Sequence, residues 1–548
     1  MVSAQRDNQG GPADLVIFNG KVYPGNGSGF AEAVAVRGNT VLRVGTNQQI
    51  KSLASSATKL IDARGGSVLP GLNDSHLHVI SGGLTLQQAL LGDATSIDAL
   101  KTIIRQFAAA HPDRPWVLGR GWTYTAVPGG LPTKQQLDEV VSDRPAVMVA
   151  YDGHTAWVNS RALKLAGITG ATPDPDGGVI VKDPKTGEPT GVLKENAQGL
   201  VRKLLPAWTR DDRLNAVRAA VAMAHKFGVT SVQNAGSSSE DISLLDTLRK
   251  SGELRLRVYS AMSVEPGFTE ADADQIQRVW KTYGDDPLLK TGAAKLYIDG
   301  VIESHTAVML APYANKPIQG DPLWKAAEFE RVITLLDKRG WQVWVHAIGD
   351  GGVRMTLDAY EHAAAANPAP ARGRRHRIEH IETIDAADIP RFAKLNVIAS
   401  QQPFHGTPDL LGVWIPNIGD ERASRGWAYG SILKTGGHVA FGSDWAVVSM
   451  DPRIGIHTAV NRTSLDGKPA GGWRPEQKIP MAAAIDGYTS GAAYASFDER
   501  RKGTLAPGML ADLVILSTDV FATPPERFLD TKVETTIFDG KVVYTRSR

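Results

Sequence analysis

Residues 67–78 read Ser67-Val68-Leu69-Pro70-Gly71-Leu72-Asn73-Asp74-Ser75-His76-Leu77-His78, a short apolar run that leads to two histidines one residue apart. On an extended strand, side chains at i and i+2 leave the same face, so a strand ending His-x-His aims two imidazoles into one space. Imidazole is the commonest protein ligand for zinc and related metals. Taken alone, the pair reads equally well as two polar residues on one strand face. Its weight comes from what stands further along the chain.

From residue 70 to about 500 apolar strands alternate with helical segments, the pattern of parallel βα units. One unit is explicit: Leu214, Val217, Val221 and Ala224 recur at helical spacing, Gly228 closes the helix, and 229–233 is the strand. Further strands are expected at 256–260, 294–298, 342–346, 377–381, 397–400 and 439–442. With the His76 strand they number eight, which closes a TIM-type (β/α)8 barrel. A stretch at 92–205 breaks the pattern and contains a hairpin-like segment at 178–193. It is expected to be a cap inserted after the first barrel strand, where loops build the active face.

The chain ends echo each other. Ala511 to Leu516 resembles Ala13 to Phe18, and Ile537 to Val542 resembles Ile17 to Val22. Residues 13–69 and 503–546 therefore read as two halves of one small β-sandwich, with the 70–502 barrel inserted between them. Within the first half, Asn19-Gly20 reads as the turn of a hairpin, and 33–45 as a second hairpin.

Length and composition set outer bounds. The 548 residues exceed one small core. A net charge of +2 gives no reason to expect nucleic acid or an anionic membrane as partner. The absence of cysteine excludes disulfides and thiolate ligands and fits a reducing, cytoplasmic compartment. The polar opening Met1 to Gly11 has no apolar core of a leader, although a leader trimmed from this sequence is compatible with the rest. No run of about 18 apolar residues offers a membrane span.

The strand ends carry the chemistry. His346 and His380 end two successive strands, Asp444 follows the last, and Lys295 lies inside an apolar strand where an ammonium is costly. If the strands share one C-terminal face, His76, His78, Lys295, His346, His380 and Asp444 meet around a point. Each has a plainer alternative. Lys295 can pair with Asp299, and Glu195 is a rival bridging carboxylate. Asp350 follows His346 and can orient it. Trp122, His154, Asp299, His405 and Trp445 are candidates to face a small-molecule substrate.

The order His-x-His, Lys, His, His, Asp resembles the amidohydrolase superfamily, and within it the family-3, YtcJ-like metal-dependent hydrolases. The likeness extends to Leu131-Pro132-Thr133, Asp152 to Ser160, Gln402-Pro403-Phe404-His405, Gly442 to Val447 and Gly503 to Leu513. It implies one or two divalent metals, zinc first. His76 and His78 with Asp444 would take one metal, and His346 with His380 the other. A carboxylated Lys295 would bridge them. Asp444 would be the proton shuttle, with His405 and His154 as further catalytic histidines. The implied reaction is hydrolysis of an amide-type carbon–nitrogen bond in an N-acyl amine, an N-substituted formamide or a carbamate-like compound. Ester or lactone hydrolysis, and cyclic amide hydrolysis or deamination, use the same apparatus. A homodimer is compatible with all of these. A non-catalytic scaffold is the opposing reading, and the complete donor set argues against it.

Overall fold

The computed structural model describes residues 11–151 and 153–547. The polar opening through Gly10 and Asp152 of the Asp-Gly-His motif lie outside them. The chain divides into two compact units, one running through Val79 and resuming at Ala220, the other spanning Ile80–Ala219.

In the first unit all eight expected strands form one parallel sheet. They are Leu72–Leu77, Val229–Ser237, Arg257–Ser263, Leu289–Tyr297, Gln342–Ala347, Arg377–His380, Ile398–Gln401 and His438–Phe441, and their spatial order is their chain order. Most are buried along their whole length, as strands with both faces covered must be. Just past the eighth strand, Asp444 N donates to His76 O (2.6 Å) and His78 N to Trp445 O (2.8 Å), which closes the ring. Gly442 makes that approach feasible, since a Cβ there would lie 2.4 Å from His76 N. Tyr259, Ala293 and Trp344 fill the interior as one layer. Lys295 and His346 stand two residues beyond Ala293 and Trp344, on the same inward face.

Strands from both chain ends share a sheet. A five-stranded sheet runs Lys21–Val22, Ser67–Pro70, Leu513–Leu516, Val533–Phe538, Lys541–Thr545, and so interleaves both ends. A four-stranded sheet of Thr40–Gly45, Ala33–Arg37, Leu15–Phe18 and Lys59–Asp62 accompanies it, and Val34, Val36, Leu513 and Ile537 share one apolar core. Arg257 on the third barrel strand forks onto Asp512 (2.6 and 3.0 Å) and reaches Asp539 (2.9 Å), tying the barrel floor to this region.

One turn differs from its reading. Leu15–Phe18 pairs with Ala33–Arg37 and Lys59–Asp62, whereas Lys21–Val22 joins the other sheet, so Asn19-Gly20 is a crossing and not a hairpin. The hairpin at 33–45 forms, with Arg37 opposite Thr40.

The second unit is a six-stranded sheet, Gly178–Lys182, Pro189–Glu195, Thr155–Val158, Ala146–Ala150, Val117–Trp122, Ala89–Leu90, with an apolar core on each face. It takes in more chain at both ends than 92–205. Among the described residues no helix is long and apolar enough to cross a membrane.

Candidate metal centre

The donors expected from the sequence lie on strand ends of one barrel mouth. His78 Nε2 is 3.1 Å and His76 Nε2 3.5 Å from the same oxygen, Asp444 Oδ1. His380 lies beside both His76 and His346, with ring centroids 4.8 and 4.4 Å apart. Lys295 is 1% exposed, and its Nζ stands 4.3 Å above the Tyr297 ring, itself next to His346. Among the described residues two three-donor groups have all ligand atoms within 4.8 Å: His76, His78, Asp444, and His380, His405, Asp444. The second enlists His405, where the sequence reading placed His346.

Three of the imidazoles are each anchored through one nitrogen. His76 Nδ1 meets Glu379 Oε2 at 2.5 Å, His380 Nδ1 donates to Gln402 Oε1 at 2.8 Å, and His346 Nε2 donates to the Gly300 carbonyl at 3.1 Å. Fixing one nitrogen as the proton carrier leaves the other a lone pair, the state a metal ligand needs. Burial, and then the Lys295 ammonium, holds His76 down at about 4 and His346 at about 3. Burial, and then its neighbours His346 and His76, holds His380 well below the usual range. All three are therefore neutral at pH 7. Asp444 is held well below the usual carboxylate range. Burial opposes that shift, and the His78 hydrogen bond, His76 and His380 overcome it.

These residues fit a divalent cation. His76 Nε2 and Lys295 Nζ are buried with no hydrogen-bond partner among the described residues, a costly arrangement for polar atoms that nothing binds. Neutral imidazoles and a carboxylate are the donor chemistry of zinc.

A second layer escaped the sequence reading. Arg377, fully buried, donates Nε to Glu379 Oε1 (2.8 Å) and Nη2 to Glu379 Oε2 (3.0 Å). It also reaches the Ser75 carbonyl (2.6 Å), Ser400 Oγ (2.8 Å) and Gln233 Oε1. Burial pushes Glu379 up, but Arg377 and then His76 hold it at about 2. Arg377-Ile378-Glu379-His380 did carry the signal: two opposite charges at i and i+2 inside a buried strand must face each other's partners.

Other candidates lie elsewhere. Asp299 is 1% exposed and accepts the N–H groups of Val308, Ile348 and Gly349 at 2.9–3.0 Å, with Oδ1 3.6 Å from His346 Nε2. It lies behind His346 and forms no ion pair with Lys295 among the described residues. Burial pushes it up to about 7. Asp350 accepts from Leu310 N (2.9 Å), so the support expected of it falls to the Gly300 carbonyl. Trp122 is core of the second unit, its indole N–H donated to Met148 O (2.8 Å). His154 and Glu195 also belong to that unit and pair with each other at 2.9 Å. Trp445 is buried beside Asp444.

Comparison with known proteins agrees with this geometry. The amidohydrolase family model matches residues 59–544. The chain is 33% identical to LONG AFTER FAR-RED 3 of Arabidopsis thaliana (92% of this chain, 88% of that protein). It is 31% identical to YtcJ of Bacillus subtilis (94% and 96%). It is 24% identical to the N-substituted formamide deformylase of Arthrobacter pascens (97% and 99%). A metal-dependent hydrolase of Pyrococcus furiosus superimposes with a TM-score of 0.73 at 25% identity, covering 92% of this chain and 99% of that one.

Proposed function

The chain belongs to the amidohydrolase family, and on that premise we propose that it hydrolyses an amide-type carbon–nitrogen bond in an N-acyl amine, an N-substituted formamide or a carbamate-like compound. The observation that carries this is the position of Asp444: one carboxylate oxygen between His76 and His78, at 3.5 and 3.1 Å, on the rim of a cluster of neutral histidines. The likeness to a formamide deformylase along nearly the whole chain supports the bond type.

His76, His78, His346, His380, Asp444 and a carboxylated Lys295 would hold the cation, with His405 close enough to His380 and Asp444 to join them. A bound divalent cation, zinc by its donors, supplies a Lewis acid and a water acidic enough to ionise near neutral pH. Asp444 takes the proton of the attacking water and returns it to the leaving amine nitrogen, so that the amine departs neutral. His405 Nε2, buried and without a hydrogen-bond partner among the described residues, faces the same space and accepts a hydrogen bond from the attacking water, which orients it. Burial lowers the Lys295 amine to about 8, which leaves a neutral fraction at pH 7. That amine nitrogen adds to the carbon of carbon dioxide and loses a proton to water, which converts a cation into an anionic oxygen donor.

The test is a screen of the chelated and the zinc- or manganese-reloaded protein against N-acyl amines, N-substituted formamides, anilides, carbamates and esters. Metal-dependent amine release is expected. Turnover of esters alone would refute the amide assignment. For the bridge, Lys295→Ala is expected to lose one of two metal equivalents by elemental analysis and to regain part of it with short carboxylic acids. Unchanged metal content would disprove the bridging role.

A further inference from the structure

Glu382 has no part in the chemistry above, yet it is 6% exposed two residues past His380. Its Oε2 accepts the Trp414 indole N–H at 2.9 Å, and its carbonyl accepts Trp427 N at 3.1 Å. The other oxygen, Oε1, stands 3.9 Å from His405 Nδ1, and no arginine or lysine pairs with this carboxyl among the described residues. His405 sits on the tight turn Pro403–Gly406, and a Cβ on Gly406 would strike the Trp427 ring at 2.7 Å, so that turn is pressed against Trp427. Trp414 and Trp427 lie 4.9 Å apart. One aromatic wall thus holds both Glu382 and the turn that carries His405. The His405 ring lies parallel to that of His380, 7° between planes and 6.3 Å between centroids.

We propose that Glu382 is the positioning residue of His405: Oε1 shares one proton with Nδ1, fixes the ring, and presents Nε2 to the space beside His380 and Asp444. The distance of 3.9 Å is too long for a hydrogen bond as it stands. Hydrogen bonds of catalytic groups are commonly long before substrate and metal are in place, and tighten afterwards. Carboxylates that orient a functional histidine in this way are worth about 10–100-fold in activity or metal affinity. The assignment rests on the hydrolase reading, since it gives that reading's His405 its orientation.

The experiment is a double-mutant cycle on the zinc-loaded full chain, read in kcat and KM, together with nitrogen-15 spectra of histidine-labelled protein. The His405 signals are those missing from His405→Ala. Glu382→Met removes both oxygens at nearly constant volume. It is expected to shift the His405 nitrogens and to lower kcat about 10–100-fold with little change in KM. Glu382→Gln, which can still hydrogen-bond Nδ1, is expected to restore both. Added to His405→Ala, Glu382→Met is expected to cost nothing more. Should the Met variant fail to fold, Glu382→Asp, which draws the carboxylate back by one methylene, runs the same cycle with a smaller expected loss. Unshifted His405 nitrogens, or a further tenfold loss in the His405→Ala background, would overturn the pairing. If the wild-type protein turns over no compound of the screen, the hydrolase reading fails on its own, and the spectra still decide the pairing.

Discussion

In the Asp444→Asn protein, kcat is expected to fall by about 10³, within the range of about 10²–10⁴ that a positioned proton-transfer group contributes. The fold should be unchanged, because the backbone N–H of Asp444 closes the ring onto His76 O at 2.6 Å and the amide variant keeps it. Two properties of the carboxylate are lost together. The oxygen between His76 and His78 becomes either a neutral carbonyl, a poor base, or an amide nitrogen, which cannot accept. Steady-state kinetics on the substrate that emerges from the screen measures the first effect, and thermal unfolding with circular dichroism the second. Retained activity in a folded Asp444→Asn protein would place the proton shuttle on another group.

Arg377→Met is expected to destabilise the barrel by about 3–5 kcal/mol, the usual loss when one partner of a buried ion pair is removed. A domain has only about 5–15 kcal/mol in hand, so soluble yield and the unfolding temperature should both drop sharply. The reason is Glu379. Its carboxylate is fully buried and kept ionised by Arg377 and then His76 against the pull of burial. Its folded value, about 2, lies below the ordinary 4.5, so its contribution is complete above pH 4.5 and is lost as pH falls from there toward 2. Removing the guanidinium leaves that charge facing an apolar methionine and also frees Ser75 O and Gln233 from the strand-to-strand link. The double variant Arg377→Met/Glu379→Leu separates fold from site. It should regain most of the stability, because no charge is left uncompensated. It should not regain metal affinity, because His76 Nδ1 has lost the carboxylate that holds its ring. A single Met variant as stable as the parent would show that the Arg377 network contributes nothing net.

Two of the Asx-Gly dipeptides, Asn19-Gly20 and Asp539-Gly540, show where local sequence stops being informative. Asp539-Gly540 joins Val533–Phe538 to Lys541–Thr545 as a true hairpin, with φ of 52° and 77° at the turn, the signature of a tight two-residue connection. Asn19-Gly20 looks the same in one dimension. Asn19 has φ 54°, but Gly20 is not in the left-handed region and lies against Val68, where a Cβ would come within 2.8 Å of Cγ2. Packing against a strand 46 or more positions away chose the crossing over the hairpin, and the dipeptide could not report that.

What the sequence determined unaided was the eight-stranded barrel. It follows from apolar strands alternating with helical segments, each bounded by turn residues, which are local properties. The tertiary structure alone decided which group anchors each of three imidazoles: Glu379 behind His76, Gln402 behind His380, and the Gly300 carbonyl rather than Asp350 beside His346. It also decided where His380 points. The chain leaves its strand there with φ 74°, followed by φ 51° at Ile381, a departure from the alternation that would send neighbours Glu379 and His380 to opposite faces. Such choices depend on the distance between atoms far apart in the chain, and only closure of the barrel sets that distance.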